Sequence, residues 1–97
     1  MLDDDFTPLD ELREQIGYID DHLLELLIER AELSRDVGIY KKENHLAIED
    51  KAREGEMIAI QKALAEDNGL DPDYIEDVWE IILKYSKKLQ KNAQDEE

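Results

Sequence analysis

The sequence contains no cysteine, so a disulfide framework, a thiolate zinc site and a cysteine nucleophile are all excluded, and the redox compartment goes unread. Basic residues are scarce: 12 Lys and Arg stand against 27 Asp and Glu, a formal net charge of −15. Affinity for phosphate polymers comes from counterions displaced by a basic surface, so this balance argues against nucleic acid and against an anionic membrane as partners. No apolar run approaches the ~20 residues of a membrane span. Only Met1 and Leu2 precede Asp3, Asp4 and Asp5, so the expectation is no signal or transit segment and a cytoplasmic protein. Histidine is limited to His22 and His45, with no third ligand spaced to complete a metal site around either.

What is present is a seam. Leu9, Leu12, Ile16, Ile19, Leu23, Leu26, Arg30, Leu33, Val37 and Tyr40 follow alternating steps of three and four, the spacing of one long helix over about 7 to 44. Such a helix is roughly 50 Å long at ~1.5 Å per residue, whereas a compact domain of this size has a radius of gyration of about 12 to 13 Å. Its own chain cannot cover it, so the expected occupant of the seam is a second copy of the same helix. A single domain over residues 1–97 is marginal by itself, and dimerisation relieves that limit.

Along the chain, residues 1–6 read as an acidic, unstructured lead-in. Thr7-Pro8-Leu9-Asp10 starts the first helix with a hydroxyl cap, a proline where no N–H is needed, and acid near the positive end of the dipole. Gly17 reads as tolerated within the helix, while Gly38, one turn from Lys41, leaves room for a ligand or a crossing helix. Glu43 to Ile48 reads as a loop. A second helix is expected from Glu49 or Asp50 to Asp67, with Ala52, Met57, Ile58, Ile60, Ala63 and Leu64 as its apolar contacts and Asn68-Gly69 as a left-handed cap. Asp71-Pro72-Asp73 starts a third helix to about Asn92, whose stripe is Ile75, Val78, Trp79, Ile82, Tyr85 and Leu89, with Ser86 and Gln90 at its margin. Residues 93–97 read as a loose polar tail. The fold class is therefore all-α: three helices per chain, a very long first helix, and an intertwined helical homodimer.

Arg30 and Lys41 are about three turns apart on nearly the same face, their Cα atoms roughly 16 Å apart, so their long side chains can converge on one small anion. Arg13 lies some 25 Å from Arg30 and about 100° round the helix, so it reaches that anion only from a partner chain, in two equivalent shared sites. Asp50, Arg53, Glu54 and Met57 can line a wall from the second helix, and Ser86 and Gln90 offer neutral hydrogen-bonding groups from the third. No nucleophile–base pair or glycine-rich phosphate loop is spaced among them. Such a set suits an organic dianion and a reaction driven by shape and charge. The structural alternative is a register-fixing ion pair of Arg30 with Glu11, Glu25 or Glu54, with Ser86, Gln90, Arg53 and Glu54 as ordinary helix positions. Spacing alone leaves both readings open.

The order LDELREQIGYIDDHLLELLIERAELSRDVGIYKKEN, then DKAREGEM, then IILKYSKKLQ resembles the all-helical class of chorismate mutases over about residues 7–92. The resemblance implies that Arg13, Arg30 and Lys41 hold the substrate, Arg13 being supplied by the partner. It also implies an element of Asp50, Arg53 and Glu54, a pair Ser86 and Gln90, and Val37 packing against the substrate. The implied activity is rearrangement of chorismate to prephenate without a cofactor. Lys41 and Gln90 would donate to the ether oxygen, Arg30 and Arg13 would hold the carboxylates, and Glu54, oriented by Arg53 and helped by backbone groups of Asp50, would accept from the ring hydroxyl; Ser86 would touch a carboxylate. A related branch cleaves isochorismate to salicylate and pyruvate, and the Arg53-Glu54 pair resembles the mutase pattern rather than that one. A non-catalytic helical dimerisation or regulatory module is the rival from another class.

Overall fold

The computed structural model describes residues 6–96, and the expectations for residues 1–5 and for Glu97 lie outside them. Three helices follow one another: α1 (Pro8–Glu43), α2 (Lys51–Asp67) and α3 (Pro72–Glu96), with no strand among the described residues. No helix is long and apolar enough to cross a membrane among the described residues.

Five of the six helix ends among the described residues have a local cause. The Asp10 N–H donates to Thr7 Oγ1 (3.2 Å) and the Thr7 N–H donates back to Asp10 Oδ2 (2.9 Å), a reciprocal box that satisfies two free donors of the first turn. These bonds hold the Asp10 carboxyl below the ordinary carboxylate range, the backbone bond from Thr7 counting most. At the other end of α1, the Leu46 N–H donates to Lys41 O (2.8 Å) and the His45 N–H to Lys42 O (3.3 Å). That is the Schellman pattern, and His45 takes the left-handed position (φ 56) that glycine usually fills. The same pattern closes α2, where the Leu70 and Gly69 N–H groups donate to Ala65 O and Glu66 O and Gly69 has φ 77. Asp50 caps α2 by accepting from the Arg53 N–H (3.0 Å), and Asp71 Oδ1 accepts from the Asp73 N–H at the start of α3.

The chain divides into two units, 1–30 and 31–97. In the first, the described residues carry the early turns of α1, and its apolar seam is bare: Leu9, Leu12, Ile16, Ile19, Leu23 and Leu26 are 48% to 66% exposed. In the second, the last turns of α1 meet α3. α2 packs on α3, and Lys62 donates to Glu76 between them at 3.0 Å.

Three sequence expectations change here. The buried line of α3 is Leu83, Ser86, Gln90 and Ala93, so Ser86 and Gln90 lie at the centre of the packed face rather than at its margin. Gly38 explains this: a Cβ there would stand 2.6 Å from the Gln90 Cα and carbonyl oxygen, so α1 and α3 touch backbone to backbone at that point. On α2 the packed side runs through Glu54, Ile58, Gln61 and Ala65, whereas Ala52, Ile60, Ala63 and Leu64 of the expected contacts are exposed. Ala52, Ile60 and Ala63 lie about 120° or more round the helix from Glu54, and Leu64 falls at the edge of the packed side. Finally, α3 continues past Asn92 to Glu96, since its last turn is tied to α1: Gln94 Nε2 donates to Gly38 O (2.8 Å), Lys42 Nζ donates to Gln94 O (2.7 Å), and Arg35 pairs with Glu96.

Candidate functional site

The polar centre of the second unit is built on the backbone contact between Gly38 and Gln90. One turn after Gly38, Lys41 extends its ammonium to two acceptors: the Gln90 Oε1 at 3.0 Å and the Ile48 carbonyl at 2.8 Å. The first bond decides the amide's orientation, because an oxygen turned toward Lys41 leaves Nε2 as the end able to donate elsewhere. The second ties the α1–α2 connection to the same ammonium. Lys41 is half-buried and Gln90 buried, so both bonds lie in surroundings where charge is screened less than in water.

One turn before Gln90, the buried Ser86 hydroxyl meets that of Ser34 at 2.7 Å. Ser34 belongs to the last turns of α1, one turn before Gly38, and spacing did not single it out. The signal was a hydroxyl one turn before Gly38, visible only once the crossing at Gly38 is known.

From α2, Glu54 reaches Lys87 of α3, whose Nζ lies 3.2 Å from Oε1 and 3.4 Å from Oε2. Lys87 also stands 3.5 Å from Glu49. The hydrogen bond to Glu54, partly opposed by desolvation and joined by the charges of both acids, raises the Lys87 ammonium above the ordinary lysine value, so it stays charged at neutral pH. Lys87 was not among the sequence candidates either.

The remaining candidates are placed less closely. Asp50 is exposed, its side chain engaged in capping α2, and the Arg53 side chain is exposed. Val37 is 43% exposed on α1. In the first unit Arg13 is exposed, while Arg30 is partly buried and desolvation lowers its guanidinium below the usual arginine value. Among the seam positions of that unit Arg30 is the one partly withdrawn from water, and the structure does not bring Arg13 to it.

The arrangement is that of an all-α domain whose polar groups meet between helices: an ammonium, an oriented amide and paired hydroxyls where α1 crosses α3, and a carboxylate held by a lysine between α2 and α3. The chain belongs to the chorismate mutase type II family, which matches it over residues 12–91. It is 41% identical over 78 residues to the T-protein of Enterobacter agglomerans and 36% identical over 80 residues to the bifunctional chorismate mutase/prephenate dehydratase of Escherichia coli. Those alignments cover 80% and 82% of this chain but 21% of each relative, so the chain spans about a fifth of their length. Against the chorismate mutase of Methanocaldococcus jannaschii it is 30% identical over 88 residues, covering 91% of this chain and 89% of that one.

Proposed function

We propose that the chain converts chorismate to prephenate by a pericyclic rearrangement, in the cytoplasm, as a homodimer with two shared sites and no cofactor. The observation that carries this reading is the Lys41–Gln90 pair: an ammonium and an amide at one helix crossing, joined by the bond from Lys41 Nζ to Gln90 Oε1, which leaves the amide N–H free to face a substrate. As the ether C–O bond breaks, its oxygen gains negative charge. Donors already in place stabilise that charge more in the transition state than in the ground state, which is the condition for raising kcat.

The remaining roles follow from charge. Chorismate carries two carboxylates, and Arg30 with Arg13 of the partner subunit would pair with them, holding the enolpyruvyl arm over the ring so that its lost freedom is offset by binding. Glu54 would accept from the ring hydroxyl with backbone groups of Asp50 beside it. Ser86 would touch a carboxylate, Arg53 would add positive charge at the wall, and Val37 would pack against the ring. The exposed seam of α1 supports the dimer, since leucines and isoleucines half-open to water along a helix face gain by meeting a second copy.

The test follows the loss of chorismate absorbance with purified protein, isochorismate being run beside it. Turnover of chorismate to prephenate is expected. Release of pyruvate from isochorismate alone would assign the lyase reaction instead, and binding without turnover of either would leave a non-catalytic module. Sedimentation of the same sample checks the dimer; a well-folded single subunit that still turns over chorismate would remove Arg13 of the partner subunit from the scheme.

A further inference from the structure

Glu54 sits on a helix whose cap does nothing to steer it. Asp50 spends its carboxylate on the Arg53 N–H, one residue before Glu54, and the Arg53 side chain is exposed. An unrestrained glutamate has three side-chain torsions and would sweep its carboxylate over several ångströms. The group that restrains it comes from α3. Lys87 Nζ lies against both Glu54 oxygens, at 3.2 and 3.4 Å, so it straddles the carboxylate and limits its rotation, while each oxygen keeps acceptor capacity to spare.

The two side chains are 31% and 23% exposed, a setting in which an ion pair is less screened than on an open surface. Glu49 also approaches Lys87, but at 3.5 Å and with its own side chain 54% exposed, so it is the looser of the two partners. Lys87 follows Ser86 directly and precedes Gln90 by one turn, so the helix that presents the hydroxyl and the amide also presents the ammonium.

We propose that Lys87 is a positioning residue: it holds the Glu54 carboxylate aimed so that it accepts a hydrogen bond from a hydroxyl of the substrate. This rests on the role given to Glu54 in the proposed function. Lys87 touches no reacting atom, and it performs the orienting task that the family resemblance implied for Arg53.

A double-mutant cycle on the full chain, assayed with chorismate, tests this. Lys87→Met keeps the apolar stem and removes the charge, and it is expected to lower kcat/KM by about tenfold, since small misplacements of a catalytic group are costly. In a Glu54→Gln background the same substitution should change kcat/KM by less than about twofold, because the group it positions is already gone. Lys87→Arg, which restores the charge, should recover activity to within about threefold of the parent. A loss of equal size in both backgrounds, or a Lys87→Met variant within twofold of wild type, overturns the proposal while the chorismate reading stands. A wild-type chain that does not turn over chorismate overturns that reading and this inference with it. Helical circular dichroism checks folding, and if Lys87→Met does not fold, Lys87→Gln carries the same comparison.

Discussion

Lys41 illustrates what a single side chain contributes beyond its charge. Its ammonium satisfies two acceptors, the buried Gln90 amide oxygen and the Ile48 carbonyl, and thereby sets which end of the amide can donate. Lys41→Ala should therefore lower kcat/KM by a factor on the order of 10² or more, the scale of a lost oxyanion-type donor, with helical content by circular dichroism retained. Near-normal turnover would take Lys41 out of the chemistry. Gln90→Glu probes the same pair by pH. An ionised carboxylate would still accept from Lys41 but would face the ether oxygen with negative charge, whereas its acid form donates, so kcat/KM should rise as pH falls. A flat profile between pH 4 and 8 for that variant would contradict the assignment of Gln90. The types and spacing of both residues were legible in the sequence; the burial of Gln90 was not. Burial depends on Gly38 meeting the Gln90 backbone, and spacing along one helix carries no information about which turn of another helix crosses it.

At the scale of elements, the helix ends were the most legible features, because a cap is a contact between near neighbours. Thr7 with Pro8, Asp50, Asp71 with Pro72, and Asn68-Gly69 each announce themselves within four residues. The Asp50 cap bonds to the backbone of α2 and not to Glu54, so its loss should be visible in stability. Asp50→Ala is expected to cost about 1 kcal/mol, a thermal midpoint lowered by several degrees in a domain of this size, measured by circular dichroism melting. An unchanged midpoint would mean that the Arg53 N–H finds another acceptor. For α1 the box between Thr7 and Asp10 has a defined pH sense. Its carboxyl is held below the ordinary value, so the stabilisation is present above about pH 3.9, the ordinary Asp pKa, and is lost as the pH falls through the lowered folded value. The end of α3 was misread for the opposite reason: its polar residues find acceptors on α1 only after the two helices meet.

For the whole molecule, the bare seam and the proposed shared sites make one joint prediction. Arg13→Ala and Lys41→Ala variants, each inactive alone, should regain activity when unfolded together and refolded as a mixture. In a mixed dimer one site combines the intact Lys41 of one copy with the intact Arg13 of the other, while the second site lacks both. Random pairing makes half the dimers mixed, so recovery should approach about one quarter of wild-type turnover. No recovery in a mixture shown by mass spectrometry to contain mixed dimers would mean that each site is made by one chain. By itself the sequence determined the number of helices, their caps, the acidic balance and the family, because all of these reside in residue types and local periodicity. Only the tertiary structure decided that Ser86 and Gln90 are central, that Ser34 faces Ser86, and that Lys87 rather than Arg53 meets Glu54. Those outcomes depend on which turns of different helices touch, at Gly38 and Gln90 for α1 with α3 and at Glu54 and Lys87 for α2 with α3, which local sequence does not encode.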